Sequence, residues 1–126
     1  MTRIVVGAAI IAGDRLLAAQ RSEPPELAGR WEFPGGKVRA GEADQDALVR
    51  ECREELGVTV KVGERVGGDW QVGPTTVLRI WRAELVEGTP RPFVHLALRW
   101  LSAAELYDVA WLDADLPIVA AVREHL

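Results

Sequence analysis

The segment from Gly35 to Val58, GGKVRAGEADQDALVRECREELGV, restricts the possible folds more than any other part of the chain. Apolar residues recur at Leu48, Cys52 and Leu56, four apart, which predicts a helix from about Ala43 to Leu56 with one buried stripe. Asp44 and Asp46 suit its first turn, where the helix dipole favours negative charge, and Gly57 supplies a left-handed stop. The last two turns contradict this pattern by carrying Glu51, Glu54 and Glu55. At ~100° per residue these three form one patch, and Glu55 falls on the margin of the apolar stripe.

Like charges three or four residues apart cost roughly 0.2–0.5 kcal/mol per pair when exposed, and an unpaired carboxylate pushed toward a core costs more. The simplest alternative is a solvated acidic face, which fits poorly with Glu55 against the core. Oxygen ligands converging from successive turns suit a hard divalent cation, Mg²⁺ or Mn²⁺. Magnesium is commonly completed by substrate phosphates, so the acids point to phosphate chemistry.

The rest of the chain reads as strands around this helix. Arg3–Ile11 and Arg15–Arg21 are apolar runs joined by Ala12-Gly13-Asp14, a hairpin pattern. The N-terminal run reads as an edge of the fold rather than a signal peptide. Residues 22–30, with Pro24, Pro25 and Gly29, read as loop, and Trp31-Glu32-Phe33 as a short strand ended by Pro34. Val58–Val66, Thr75–Val86 and Arg99–Leu101 follow as strands. Ser102 and Glu105 form a capping box before a brief helix, and Pro117 starts a final helix reaching about His125. The order predicts one α/β domain over residues 1–126, a mixed sheet between helices.

Composition narrows the partners. The net charge of −4 argues against broad attraction to nucleic-acid polymers. No apolar run is long enough to span a membrane. The single cysteine, Cys52, excludes an internal disulfide and fits a reducing cytoplasm; its place on the apolar stripe makes it a buried hydrophobe.

Gly36, five residues, Glu42, seven residues, then Arg50-Glu51-Cys52-Arg53-Glu54-Glu55-Leu56-Gly57-Val58 meets every fixed position of the Nudix signature. Trp31-Glu32-Phe33-Pro34-Gly35 resembles the entrance to that box in MutT-type members, and likeness extends over almost the whole chain, including AAQR at 18–21 and DADLPIVAAV at 113–122. The resemblance implies a Nudix-type α/β/α sandwich. It implies that the Gly35 carbonyl and the carboxylates of Glu51, Glu54 and Glu55 bind metal. Glu51 would also orient or deprotonate the attacking water, with Glu54 a competing base. Glu42 and Arg50 would brace the loop and helix, Arg21 would hold the phosphate chain, and Lys37 would sit close to it.

One departure is plain. Many relatives carry an acid followed by His before the late-strand tryptophan, and that acid is a further metal ligand; here the pair is Val94-His95. Valine cannot coordinate a cation, so His95 is either a weak compensating ligand or a structural or solvent-facing residue, the latter favoured because Mg²⁺ prefers oxygen.

In MutT-like proteins a polar residue just before the last helix reads the base, and the matching position is Asp115. Its alternative role is a helix N-cap ahead of Pro117. An ionised Asp accepts hydrogen bonds and so suits the N4 amino group of cytosine, without excluding guanine or 8-oxoguanine. Trp70 and Trp111 are the candidates for the pocket rim, while Trp81 and Trp100 read as strand core.

The pattern most resembles bacterial (deoxy)CTP pyrophosphohydrolases that also take 5-methylcytosine nucleotides. It implies cleavage of a nucleoside triphosphate to monophosphate and pyrophosphate. The main rival is an 8-oxo-dGTP diphosphatase, and a Nudix-fold sensor that binds nucleotides without turnover is the rival of another class. Monomer and homodimer both remain open.

Overall fold

The computed structural model describes residues 2–126 of the chain. Seven strands and two α-helices form it: β1 Arg3–Ala12, β2 Arg15–Gln20, β3 Trp31–Glu32, β4 Gly35–Lys37, α1 Asp44–Leu56, β5 Thr59–Gln71, β6 Thr76–Glu87, β7 Ala97–Ser102 and α2 Leu116–Val122. Short 3₁₀ turns cover Ala103–Asp108, Asp113–Asp115 and Arg123–His125.

The sheet is mixed, with the path β3-β2-β1-β6-β5; β4 pairs with β1, and β7 with β2. β1 is the centre of this sheet, not an edge as its terminal position suggested. It runs parallel to β6 from Arg3↔Thr76 to Ile10↔Ala83. On its other side it meets β4 at Val5↔Lys37 through Gly7↔Gly35, and β2 only at Ile11↔Leu16 and Ala12↔Arg15. The predicted hairpin is therefore present, but most of β1's pairing lies elsewhere.

A central strand buried on both faces must be apolar at every position, which explains the unbroken run in β1. Val6, Ala8 and Ile10 turn toward α1 and pack with Leu17, Leu48, Cys52 and Leu56. Ala9 turns to the opposite face, where Leu16, Ile80, Trp111, Ile118 and Val122 form a second core under α2. Helices thus cover both faces of the sheet, the α/β/α arrangement expected from the resemblance. The helix stripe is as predicted: Leu48, Cys52 and Leu56 are wholly buried. Burial pushes the Cys52 thiol up to about 12, so it stays an uncharged core side chain.

Gly57 ends α1 at φ 71°, its N–H returning to the Arg53 carbonyl. The capping box of Ser102 and Glu105 forms as predicted, heading a 3₁₀ segment. β5 runs on to Gln71, well past Val66. Register shifts between Val62 and Arg65 and between Val66 and Trp70 break its alternation, which is why periodicity ends the strand early.

Candidate active site

β4 and α1 bring the predicted acids to one edge of the sheet. Pairing with β1 fixes Gly35 and Gly36; the backbone admits only glycine at 35, and at 36 a side chain would displace the Glu51 carboxylate. A Cβ on Gly35 would collide with the Val6 carbonyl oxygen, and one on Gly36 would lie 2.6 Å from the Glu51 carboxylate. The glycine pair thus lets the helix carboxylate rest against strand backbone.

Arg50 organises the helix acids. Its Nε and Nη2 donate to the two Glu42 oxygens at 2.8 and 2.9 Å, Nη1 to Glu51 at 2.7 Å, and Nη2 to the Lys37 carbonyl at 3.1 Å. Glu54 is reached more loosely, at 3.4 Å. The guanidinium holds the Glu42 carboxyl down at about 2, assisted by the Arg39 N–H. The brace implied for Glu42 and Arg50 is thus present in the geometry, and Arg50 partly answers the repulsion along the helix.

Glu55 lies apart from this network. Its Oε1 accepts the Gly35 N–H at 3.1 Å. Burial lifts its carboxyl to about 7, opposed by His95 and by the Gly35 bond and reinforced by the negative charge of Glu51 and Glu32. Among the described residues no group of three or more acids, histidines or cysteines is arranged as a ready cation site. The donor set still fits a hard divalent ion: carboxylate and carbonyl oxygens, with one half-buried acid that makes no salt bridge among the described residues.

A cleft of about 730 Å³ opens beside these groups. Arg21, Glu32, Lys37, Glu55 and Asp115 line it, with Phe33, Leu78 and Leu112 supplying apolar wall. Asp115 is only 4% exposed and makes no side-chain cap to α2, so the capping role is not what its carboxyl serves. Burial first, and the negative charge of Glu32 second, lift it to about 7, against the Phe33 backbone N–H and Arg21. Arg30 fastens the Asp115 segment by donating to the Ala110 and Trp111 carbonyls and to Asp113.

Neither tryptophan proposed for the rim lines this cleft. Trp70 packs on the α2-side core and donates to the Val66 carbonyl at 3.0 Å. Trp111 is 2% exposed, stacked obliquely on Phe33, and donates to the Leu106 carbonyl at 2.6 Å. An indole with a buried N–H partner is held as core. Trp81 and Trp100 are half-buried against the α1-side core, as strand alternation implied.

Sequence reading missed the role of Glu32. Its Oε1 accepts from Arg21 at 2.8 Å and its Oε2 from His95 at 3.0 Å. His95 is buried, 63 residues away in sequence, so no local pattern could join the pair. Val94, at the usually acidic position, is exposed and gives its carbonyl to Ser22.

The NUDIX domain family pattern matches residues 1–124. This chain is a Nudix hydrolase. The hydrolase is 54% identical over 129 aligned positions to a Mycobacterium tuberculosis protein named "Putative 8-oxo-dGTP diphosphatase 2", covering 100% of this chain and 92% of the relative. It is 41% identical to the CTP pyrophosphohydrolase of Escherichia coli, over 96% and 92% of the two chains. The crystal structure of a MutT NUDIX hydrolase from Burkholderia pseudomallei superposes with a TM-score of 0.81 at 30% identity, covering 97% of this hydrolase and 98% of that chain. Nudix hydrolases generally use a divalent metal, in keeping with the oxygen donors gathered here.

Proposed function

We propose that this Nudix hydrolase cleaves nucleoside triphosphates to the monophosphate and pyrophosphate, with Mg²⁺ (or Mn²⁺) and with cytosine nucleotides, including 5-methylcytosine, preferred. The observation that carries the reading is that one cleft is lined both by a buried acid suited to a base edge, Asp115, and by Arg21, Lys37 and Glu55. A pocket with apolar wall and a few convergent polar groups is the usual form of a small-molecule site.

Glu51, Glu54, Glu55 and the Gly35 carbonyl would hold the divalent ion. Such an ion, when bound, neutralises phosphate oxygens and lowers the pKa of water. Glu51 orients or deprotonates the attacking water, with Glu54 the competing base, and Arg50 keeps Glu51 in place. Arg21 and Lys37 balance the charge of the phosphate chain; without cationic help, clustered carboxylates would repel it. Asp115 accepts a hydrogen bond from the cytosine N4 amino group, and that donor favours the ionised carboxylate. Phe33 and Leu78 flank the base. We place this reaction in the cytoplasm, acting on free nucleotides by residues 1–126 as one domain.

A second reading, hydrolysis of 8-oxo-dGTP, is favoured by the name of the 54%-identical relative. Guanine also presents donors that Asp115 can accept.

Pyrophosphate release from CTP, dCTP, 5-methyl-dCTP, 8-oxo-dGTP and UTP in the presence of Mg²⁺ separates these readings. We expect CTP and dCTP to lead and UTP to trail, because a carbonyl replaces the amino donor. Phosphate instead of pyrophosphate release would contradict the assigned bond. Retention of cytosine preference in Asp115→Leu, whose side chain accepts nothing, would remove Asp115 as the reader.

A further inference from the structure

The side chains of His95, Glu32 and Arg21 form a line from the protein interior to the cleft. His95 Nε2 lies 3.0 Å from Glu32 Oε2, and Arg21 Nη1 lies 2.8 Å from Glu32 Oε1. A carboxylate only accepts, so the His95 Nε2–H donates. Nδ1 is buried and has no partner among the described residues, so Glu32 is the ring's one polar contact there. The His95 side chain is 4% exposed, Glu32 18% and Arg21 30%, so the line runs outward from the core to the cleft.

The segment carrying His95 is itself fixed to the catalytic helix and to the end of β2. Arg91 N–H donates to the Leu56 carbonyl and Phe93 N–H to that of Glu55, at 3.0 and 3.2 Å. Leu96 N–H donates to the Gln20 carbonyl at 2.9 Å, and Ser22 Oγ to the Val94 carbonyl at 2.9 Å. Arg21 lies between Gln20 and Ser22, so the loop holds the backbone on both sides of it while His95 holds its partner. Arg21 Nε also donates to the Glu23 carbonyl, leaving the guanidinium few orientations.

We infer that His95 is a positioning residue: through Glu32 it fixes Arg21 in the geometry that receives the phosphate chain. The inference rests on the function proposed above. It gives His95 a task distinct from the compensating metal ligand considered from sequence. A long cationic side chain ordered before binding loses less freedom on capture of the anion, so affinity is what the line sets.

The test compares His95→Leu, His95→Gln and Arg21→Ala, alone and combined, by steady-state kinetics with the best triphosphate of the panel and by melting temperature. His95→Leu removes the donor and should raise KM about 10-fold, the scale of one charge-assisted hydrogen bond, with kcat within about 3-fold. Gln places an amide N–H near the position of Nε2 and should return KM to within about 3-fold of wild type. In the Arg21→Ala background His95→Leu should add less than about 2-fold. If the Leu variant does not fold, His95→Asn, whose amide stops short of Glu32, replaces it with the same expected KM rise. Equal KM effects with and without Arg21, a folded Gln variant as impaired as Leu, or a loss confined to kcat would overturn the assignment. A folded wild-type protein that cleaves no triphosphate would overturn the functional reading and this inference together; turnover with an unmoved KM would overturn this inference alone.

Discussion

Replacing Asp115 by Asn should stabilise the protein in a pH-dependent way. The Asp115 carboxyl is 4% exposed and is lifted from 3.8 to about 7 by burial and by Glu32. At about 1.4 kcal/mol per pH unit, the folded state disfavours the ionised form by up to ~4 kcal/mol. Because the folded pKa lies above the unfolded one, the folded state binds more protons between these values. Wild-type stability therefore falls as pH rises from about 4 to about 7, and the penalty is complete above that. The amide of Asn keeps the shape, can still accept from the Phe33 N–H, and never ionises. The titration of Glu55 is present in both proteins and largely cancels in the difference. Denaturant unfolding of both proteins at pH 5 and pH 8 measures the effect. The Asp115→Asn variant should gain on wild type by ~2–4 kcal/mol more at pH 8 than at the acid end of that window. A difference that is flat with pH, or that shrinks toward pH 8, would show that the pocket does not desolvate this carboxyl.

Four further outcomes are expected. Glu51→Gln should lose most of kcat while surface Glu64→Gln stays near wild type, both read by pyrophosphate release. Gly36→Ala pushes a methyl to 2.6 Å from the Glu51 carboxylate and should cut kcat more than about 10-fold in a protein that still melts cooperatively. Leu48→Ala, at a wholly buried position under the sheet, should cost about 2–5 kcal/mol in denaturant unfolding without altering base preference. Arg50→Lys gives up the paired contact with Glu42 and the bridge to Glu51, and should lower both Tm by several degrees and kcat.

The features legible in the sequence are those written locally. The stripe of Leu48, Cys52 and Leu56, the stop at Gly57 and the capping box at Ser102 each depend on residues within a turn or two. The Glu42–Arg50 brace spans eight residues and belongs to a fixed motif. What is not legible depends on distant partners. Trp111 is core and Trp70 is half-buried against it, their N–H groups taken by the Leu106 and Val66 carbonyls, and no period in the sequence encodes that. The Glu32–His95 pair joins an early strand to a late loop across 63 residues. β1 reads as peripheral in sequence because its place in the sheet is decided by β6, far along the chain. The shifted carboxyl of Asp115 arises from enclosure by several elements together, which composition cannot express.

The guanidinium of Arg50 has a consequence for the order of assembly. By touching Glu42, Glu51 and Glu54 at once, it stands in as a resident counter-ion, so the acidic end of α1 can form before any metal arrives. If Glu51 and Glu54 hold the ion as proposed, loading is an exchange of partners within a finished scaffold, unlike small zinc domains whose chains collapse only around their ion. Chelation should silence the enzyme and leave its helix standing.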